Sequence, residues 1–355
     1  MKKKTFCRLI FAMTLIAAGF GSVFLSGCKS SNSQGEVNVF VWEDYLPESV
    51  INQFEKETGI KVNAANYISN EDMLAKIKSS KENIYDIAVP SDYMVELMKG
   101  EDMLLEYDTK SLENFKNLDE NYLNLSFDRG NKFSVPYMAG GAMIIVNKNQ
   151  VKDKITSFAD LLNPKYKSSI VVLDDFRAVI GAMAKSLGYS FNVTNDKELA
   201  IVEKYMEQLK PNLKLRDSSS PKTPMIGGET SIGYIWSGEI ALCLMEKPDE
   251  FEVIYPKEGI YLFVDNLVIL KNAKNVENAK KFINFILRPD ISAMISAEHP
   301  YPNPNKAAVA LLPDSFKKNP AANIPPEVLK KGEFIKNLKP NDLEKYDLIW
   351  TKFTK

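Results

Sequence analysis

Histidine is nearly absent, with His299 the only one in 355 residues. Any zinc site or serine triad would have to be built around that one imidazole, so histidine-based catalysis is not expected. Neither sign of charge dominates, at 45 basic against 46 acidic residues, and no basic stripe of the kind that binds nucleic acid is present. There is no internal repeat and no long low-complexity stretch. Cysteine is limited to Cys7, Cys28 and Cys243. Two of these fall in an N-terminal segment expected to be processed, which leaves Cys243 as the one ordinary thiol and excludes a disulfide framework from the mature chain. Stability must then come from hydrophobic cores, which a chain of this length can build as two domains.

The N-terminal segment has a charged start at Lys2, Lys3, Lys4 and Arg8, then an uncharged, mostly apolar run from Leu9 to Phe24. That order is the order of an export signal, and the run is short for a permanent span. Leu25-Ser26-Gly27-Cys28 follows and resembles the bacterial lipobox, which implies cleavage before Cys28 and a diacylglyceryl anchor on its thiol. Residues 1–27 are expected to be the signal peptide, and 28–35, rich in Ser, Asn and Gly, a flexible tether. Loss of the signal would leave 41 basic against 46 acidic residues, a mildly acidic body that tolerates a cationic ligand without specifying one. The chain is expected outside the cytoplasm, on the outer face of a cell membrane or in a periplasm.

Folded structure is expected from about Glu36. Val37, Val39 and Val41 alternate as in a strand, Pro47 to Thr58 reads as a helix closed by Gly59, and Ile60 to Val62 reads as the next strand. Ile84 to Val89 predicts another strand and Tyr93 to Lys99 another helix. Ser157 to Asp160 has capping-box spacing, Ile170 to Leu173 suits a buried strand, and Glu198 to Leu209 and Val276 to Leu287 each show one apolar helical face. Strands and helices alternating in this way indicate α/β layers.

Four segments place rings beside carboxylates where strands should end, and open α/β sheets bind ligands at the carboxyl ends of their strands. These are Val41-Trp42-Glu43-Asp44-Tyr45, Val89-Pro90-Ser91-Asp92-Tyr93, Leu173-Asp174-Asp175-Phe176-Arg177 and Phe263-Val264-Asp265-Asn266; Trp236 and Tyr301 extend the pattern. Rings attract an organic ammonium and cover the alkyl chain between charges, while carboxylates offset the desolvation of protonated amines. Each residue also has a structural explanation: Trp236 as core, Tyr301 as part of a proline-rich loop, an aspartate after a strand as a helix cap. Asp174-Asp175 has no nearby histidine or spaced third acid to complete a metal site.

Taken together, these segments and others resemble the spermidine/putrescine-binding proteins of polyamine ABC importers over essentially the whole mature length. The likeness runs through Phe54 to Val62, Tyr85 to Ser91, Ser134-Val135-Pro136-Tyr137, Asp174-Asp175, Tyr255 to Gly259 and Asn284 to Asp290. It implies a two-lobed α/β periplasmic-binding-protein fold of type II, with two crossover strands and a hinge cleft. The lobes are expected at 36–138 with 264–311 and at 139–263 with 312–355. Carried over by position, the resemblance implies an aromatic box of Trp42, Tyr45, Tyr93, Trp236, Phe263 and Tyr301, amine partners Asp44, Asp175 and Asp265, and hydroxyls from Ser91 and Ser218. There are departures. Ala178 stands where the spermidine binders have a glutamate, and Glu43, where the relatives usually have a small hydroxyl residue, is the candidate compensating acid if it reaches the cleft; Ala139 and Phe263 replace tryptophans.

The expected function is therefore a non-enzymatic, monomeric receptor that captures a polyamine and delivers it to the permease of an ABC transporter, with no cofactor, no metal and no nucleic-acid partner. The rivals are a receptor for another organic cation or ferric ion, and a secreted hydrolase using Asp174 and Asp175 as acid and base. Adjacent residues after a strand point to opposite faces, which rarely lets such a pair converge on one substrate atom.

Overall fold

Strand β1 (Glu36–Trp42) and β2 (Lys61–Tyr67) pair in parallel along their full length, joined by the helix Glu48–Thr58. The helix buries Val50 and Phe54, one turn apart on the face toward the sheet, and ends at Gly59, whose left-handed φ of 71° lets its N–H return to the Glu55 carbonyl. In this computed structural model residues 34–80 and 83–355 are described. The expected signal sequence, Cys7, Cys28 and most of the tether lie outside them. Gln34 and Gly35, assigned to the tether, are held to the sheet by Gln34 N–H donating to Gly59 O and Lys61 N–H to Gly35 O.

The remaining strands are β3 (Ile87–Ala88), β4 (Ser134–Asn147), β5 (Ile170–Val172), β6 (Leu213–Arg216), β7 (Ile232–Trp236), β8 (Phe251–Ile254), β9 (Tyr261–Ile269) and β10 (Glu333–Phe334). They form one mixed sheet in the order β2-β1-β3-β9-β4-β7-β5-β6, with β8 on β4 and β10 on β9. β4 and β9 run antiparallel from Ser134 opposite Val268 to Ala142 opposite Tyr261, with a shift of register between Pro136 and Met138. These two long, wholly buried strands join the β1-β2-β3 layer to the β5-β6-β7 layer. Both flanking sets contain parallel pairs, whose carboxyl ends meet across β4 and β9.

Local expectations hold with two changes. Of the run Ile84 to Val89 only Ile87 and Ala88 pair in the ladder, because Asp86 turns its carboxylate to the Asn38 backbone and side-chain N–H groups and to Asn275. After Ser157 the expected capping box is present, and the element it opens is a five-residue 3-10 turn, Phe158–Leu162, and not an α-helix. Cys243 is a buried free thiol. Among the described residues no helix is long and apolar enough to cross a membrane, and no cluster of three or more His, Cys, Asp or Glu side chains could hold a metal ion.

Candidate functional site

The carboxyl ends of β1, β2, β5 and β7 and the middle of β9 open onto one cavity of about 430 Å³. Every residue singled out from the sequence lies on its wall: Trp42, Glu43, Asp44, Tyr45, Ser91, Tyr93, Asp175, Ser218, Trp236, Phe263, Asp265 and Tyr301. They come from seven separate stretches of chain.

The rings form a continuous track. Tyr67 and Trp42 end neighbouring parallel strands, so their side chains stand abreast with centroids 4.7 Å apart. Both are fixed by one acceptor, since Trp42 Nε1 donates to Val89 O at 2.9 Å and Tyr67 OH to the same oxygen at 2.6 Å. From Trp42 the track passes to Tyr45 (6.3 Å), Tyr301 (5.5 Å), Phe263 (6.0 Å), Trp236 (5.5 Å) and Tyr261 (5.8 Å). Two glycines allow this approach. A Cβ at Gly238 would stand 2.3 Å from the Tyr301 ring, and one at Gly140 would stand 2.7 Å from that of Phe263.

Asp265 is set into the track. It points from β9 opposite Met138 and is only 3% exposed. Its Oδ1 accepts from Ser91 Oγ at 2.6 Å and its Oδ2 from Tyr45 OH at 3.1 Å. Burial pushes its pKa up to about 7, against the opposing pull of the two hydroxyls. No basic side chain bonds to it, so its negative charge has only neutral donors. Ser91 is itself positioned by Asn70, whose amide donates to Ser91 Oγ at 3.1 Å and whose oxygen accepts from Ser91 N–H at 3.2 Å.

Asp175 caps the helix Phe176–Ser186, accepting from Ala178 N–H at 2.9 Å, and burial raises its pKa as well. Asp175 thus both caps a helix and lines the cavity. Asp174, also on the cavity wall, pairs with Arg216 Nε at 3.0 Å, so the two neighbouring carboxylates have different partners. Ser218 Oγ is buried and without a partner on the cavity wall. Asp44 and Glu43 are exposed at the cavity mouth, and Asp44 adopts a left-handed φ of 59°, which a short polar side chain tolerates in a tight turn. Ala178 is fully buried and does not line the cavity.

Several charged residues of the wall were not singled out from the sequence as ligand contacts, among them Glu71, Arg177, Lys222 and Glu239. Glu71, in the first turn of the helix Asn70–Ser79, accepts from Tyr93 OH at 3.0 Å. Glu239, 7% exposed, follows Trp236 in the first turn of the helix Ser237–Glu246 and pairs with Lys222. Arg177 is buried between the rings of Tyr93 (5.8 Å) and Tyr346 (5.4 Å) and donates to Asn192 Oδ1 and Lys336 O. Glu71 and Lys222 belong to surface-like polar stretches, and only long-range packing turns them inward. Glu239 follows the Trp236 motif by three residues, a helical spacing that could have drawn attention to it.

The family model for bacterial extracellular solute-binding proteins matches residues 49–324. The spermidine/putrescine-binding periplasmic protein of Salmonella typhimurium is 39% identical over 321 residues, covering 90% of this chain and 92% of that protein. Two solved structures share the architecture. The spermidine/putrescine ABC transporter substrate-binding protein of Streptococcus pneumoniae superimposes with a TM-score of 0.78 at 35% identity, covering 90% of this chain and 98% of that one. The Tp0655 lipoprotein of Treponema pallidum gives 0.80 at 27%, covering 90% and 99%. The fold is thus the two-lobed, type II form of the periplasmic binding proteins, with β4 and β9 as its crossover strands. On the extent of these matches, the chain belongs to the bacterial extracellular solute-binding protein family.

Proposed function

We propose that this protein is an extracytoplasmic receptor that captures a protonated di- or polyamine, putrescine or spermidine, between its lobes and delivers it to an ABC importer. The observation that carries this is Asp265: a buried carboxylate with no cationic partner, set among seven linked rings and joined on the same wall by Asp175. An alkyl diammonium supplies what is missing. Its charges meet the carboxylates by charge-assisted hydrogen bonds, and its methylenes lie on the ring faces. The ligands that name the Salmonella and Streptococcus relatives support the same chemistry. Isothermal titration of the ligand-stripped mature domain with putrescine and with spermidine tests it; no heat and no thermal shift with either sinks the reading.

The same proposal places 36–138 with 264–311 in one lobe and 139–263 with 312–355 in the other, closing about β4 and β9. It takes the receptor to be a monomer held at the membrane through a lipidated Cys28. The Leu25 to Cys28 tetrapeptide and the lipoprotein nature of the Treponema relative support the anchor. A single acyl chain binds membranes only marginally, so stable attachment needs the multiply acylated cysteine the tetrapeptide implies. Cys28→Ala should leave an uncleaved precursor or a protein released from membranes; unchanged fractionation and gel mobility would count against lipidation.

A further inference from the structure

The carboxylates on the cavity wall are not equivalent. Asp265 accepts only from two hydroxyls, and Asp175 accepts from a backbone N–H at its helix start. Glu239 is different. Lys222, the first residue of the helix Lys222–Ile226, donates from Nζ to Glu239 Oε1 at 3.1 Å and to Oε2 at 3.0 Å, so one ammonium covers both oxygens. The Lys222 backbone N–H adds a longer bond to Oε2 at 3.4 Å, and Nζ reaches Ser220 Oγ at 3.3 Å. The pair stands at the wall formed by Ser218, Trp236, Leu242 and Tyr301, where Glu239 is 7% exposed and the lysine half-buried.

A lysine head is a primary alkylammonium, the same chemical group as the end of an aliphatic polyamine. We propose that Lys222 is a specificity-determining residue: a resident ammonium that occupies Glu239 and so lowers by one the number of ligand ammonium groups the cavity can neutralise. The proposal rests on the polyamine reading of the site and says which members of that class fit. A diamine needs two carboxylates and finds Asp265 and Asp175 open. A triamine needs a third partner. Glu71 stands apart beside Tyr93, and Glu43 and Asp44 are exposed at the mouth. At the wall of Trp236 and Tyr301 a third ammonium must therefore either displace Lys222 from Glu239 or go without a carboxylate there, and an unpaired buried charge is strongly disfavoured. Burial acts to protonate Glu239 and the lysine acts to keep it ionised, so removing the lysine creates a carboxylate that an incoming ammonium would neutralise.

Competition titrations with putrescine and spermidine on wild type, Lys222→Met and the double variant Lys222→Met/Glu239→Gln decide it. In Lys222→Met the affinity for spermidine relative to putrescine should rise by about tenfold or more, the size of one charge-assisted hydrogen bond gained by the longer ligand alone. In the double variant the ratio should return toward that of wild type, because the released carboxylate is gone. A ratio unchanged in Lys222→Met overturns the inference. So does a gain that survives in the double variant, which would reflect lost repulsion or added room and not a freed carboxylate. Thermal melts check that each variant folds, and Lys222→Ala carries the same expectation should the thioether disturb packing. Wild type that gives no heat with either amine overturns the polyamine reading itself, a result distinct from binding with an unmoved ratio.

Discussion

Asp265 decides the pH behaviour of the site. Its carboxyl is raised to about 7 in the folded protein because it is buried, whereas an exposed aspartate titrates near 4. An ammonium ligand binds the ionised form, so below about pH 7 binding must first remove a proton. Affinity for putrescine is therefore expected to fall as the pH is lowered from about 8 to about 6, with proton release visible as a buffer-dependent titration enthalpy. Asp265→Asn should abolish the proton release and weaken binding by about 1.5–3 kcal/mol, the usual contribution of a hydrogen bond to a charged group. Stability of the empty protein should move the other way. A group whose pKa is higher folded than unfolded contributes stability that is present below about pH 4 and lost as the pH rises through about 7. The gap in melting temperature between wild type and Asp265→Asn should then shift in favour of wild type on acidification. A gap independent of pH would show that the carboxyl is not perturbed. The neighbouring acids sort by environment as well. The sequence marked Asp44 and Asp265 alike, but only Asp265 is removed from water.

At the scale of elements, helix starts and strand ends carry the site. Ser69 caps the helix Asn70–Ser79 by accepting from Asp72 N–H at 3.1 Å, and that helix brings Asn70 to Ser91 and Glu71 to Tyr93. Ser69→Ala should cost about 0.5–2 kcal/mol of stability by loss of the cap and should loosen the donor on Asp265. Denaturant unfolding and a ligand titration on the same variant test both effects. Gly238 illustrates a tighter constraint. A methyl there meets the Tyr301 ring at 2.3 Å, so Gly238→Ala should destabilise by about 1–3 kcal/mol through overpacking and also weaken binding, since the ring that must move belongs to the track. Wild-type affinity in this variant would place Tyr301 outside the ligand contact. The first turn of the helix Phe176–Ser186 turns Ala178 into the core, while two other helix starts bring Glu71 and Glu239 to the cavity.

For the whole molecule, the two crossing strands make ligand occupancy a property of the entire fold. A ligand that binds only the folded state stabilises it by about 2.7 kcal/mol at a free concentration one hundred times its Kd. Putrescine should accordingly raise the melting temperature in a concentration-dependent way, and solution scattering should show a smaller radius of gyration with ligand than without it if the lobes close about β4 and β9. Unchanged scattering at saturation would rule out closure. Much of this was legible in the chain itself. Alternating apolar patterns located β1, the helices around 48–58 and 276–286 and the strand at 170–172, because local periodicity records which side of an element faces the core. Ring-and-carboxylate segments at strand ends pointed to most of the expected residues on the cavity wall, because in a parallel arrangement those ends converge on one edge, whereas Ser218 was reached only through the family resemblance. What the chain alone could not decide were the charges that burial and distant partners assign. Asp174 belongs to Arg216, Glu239 to Lys222 and Asp265 to no cation at all. Those pairings join residues far apart in sequence, and the energy of a carboxylate depends on the water and charge around it, which only the tertiary structure sets.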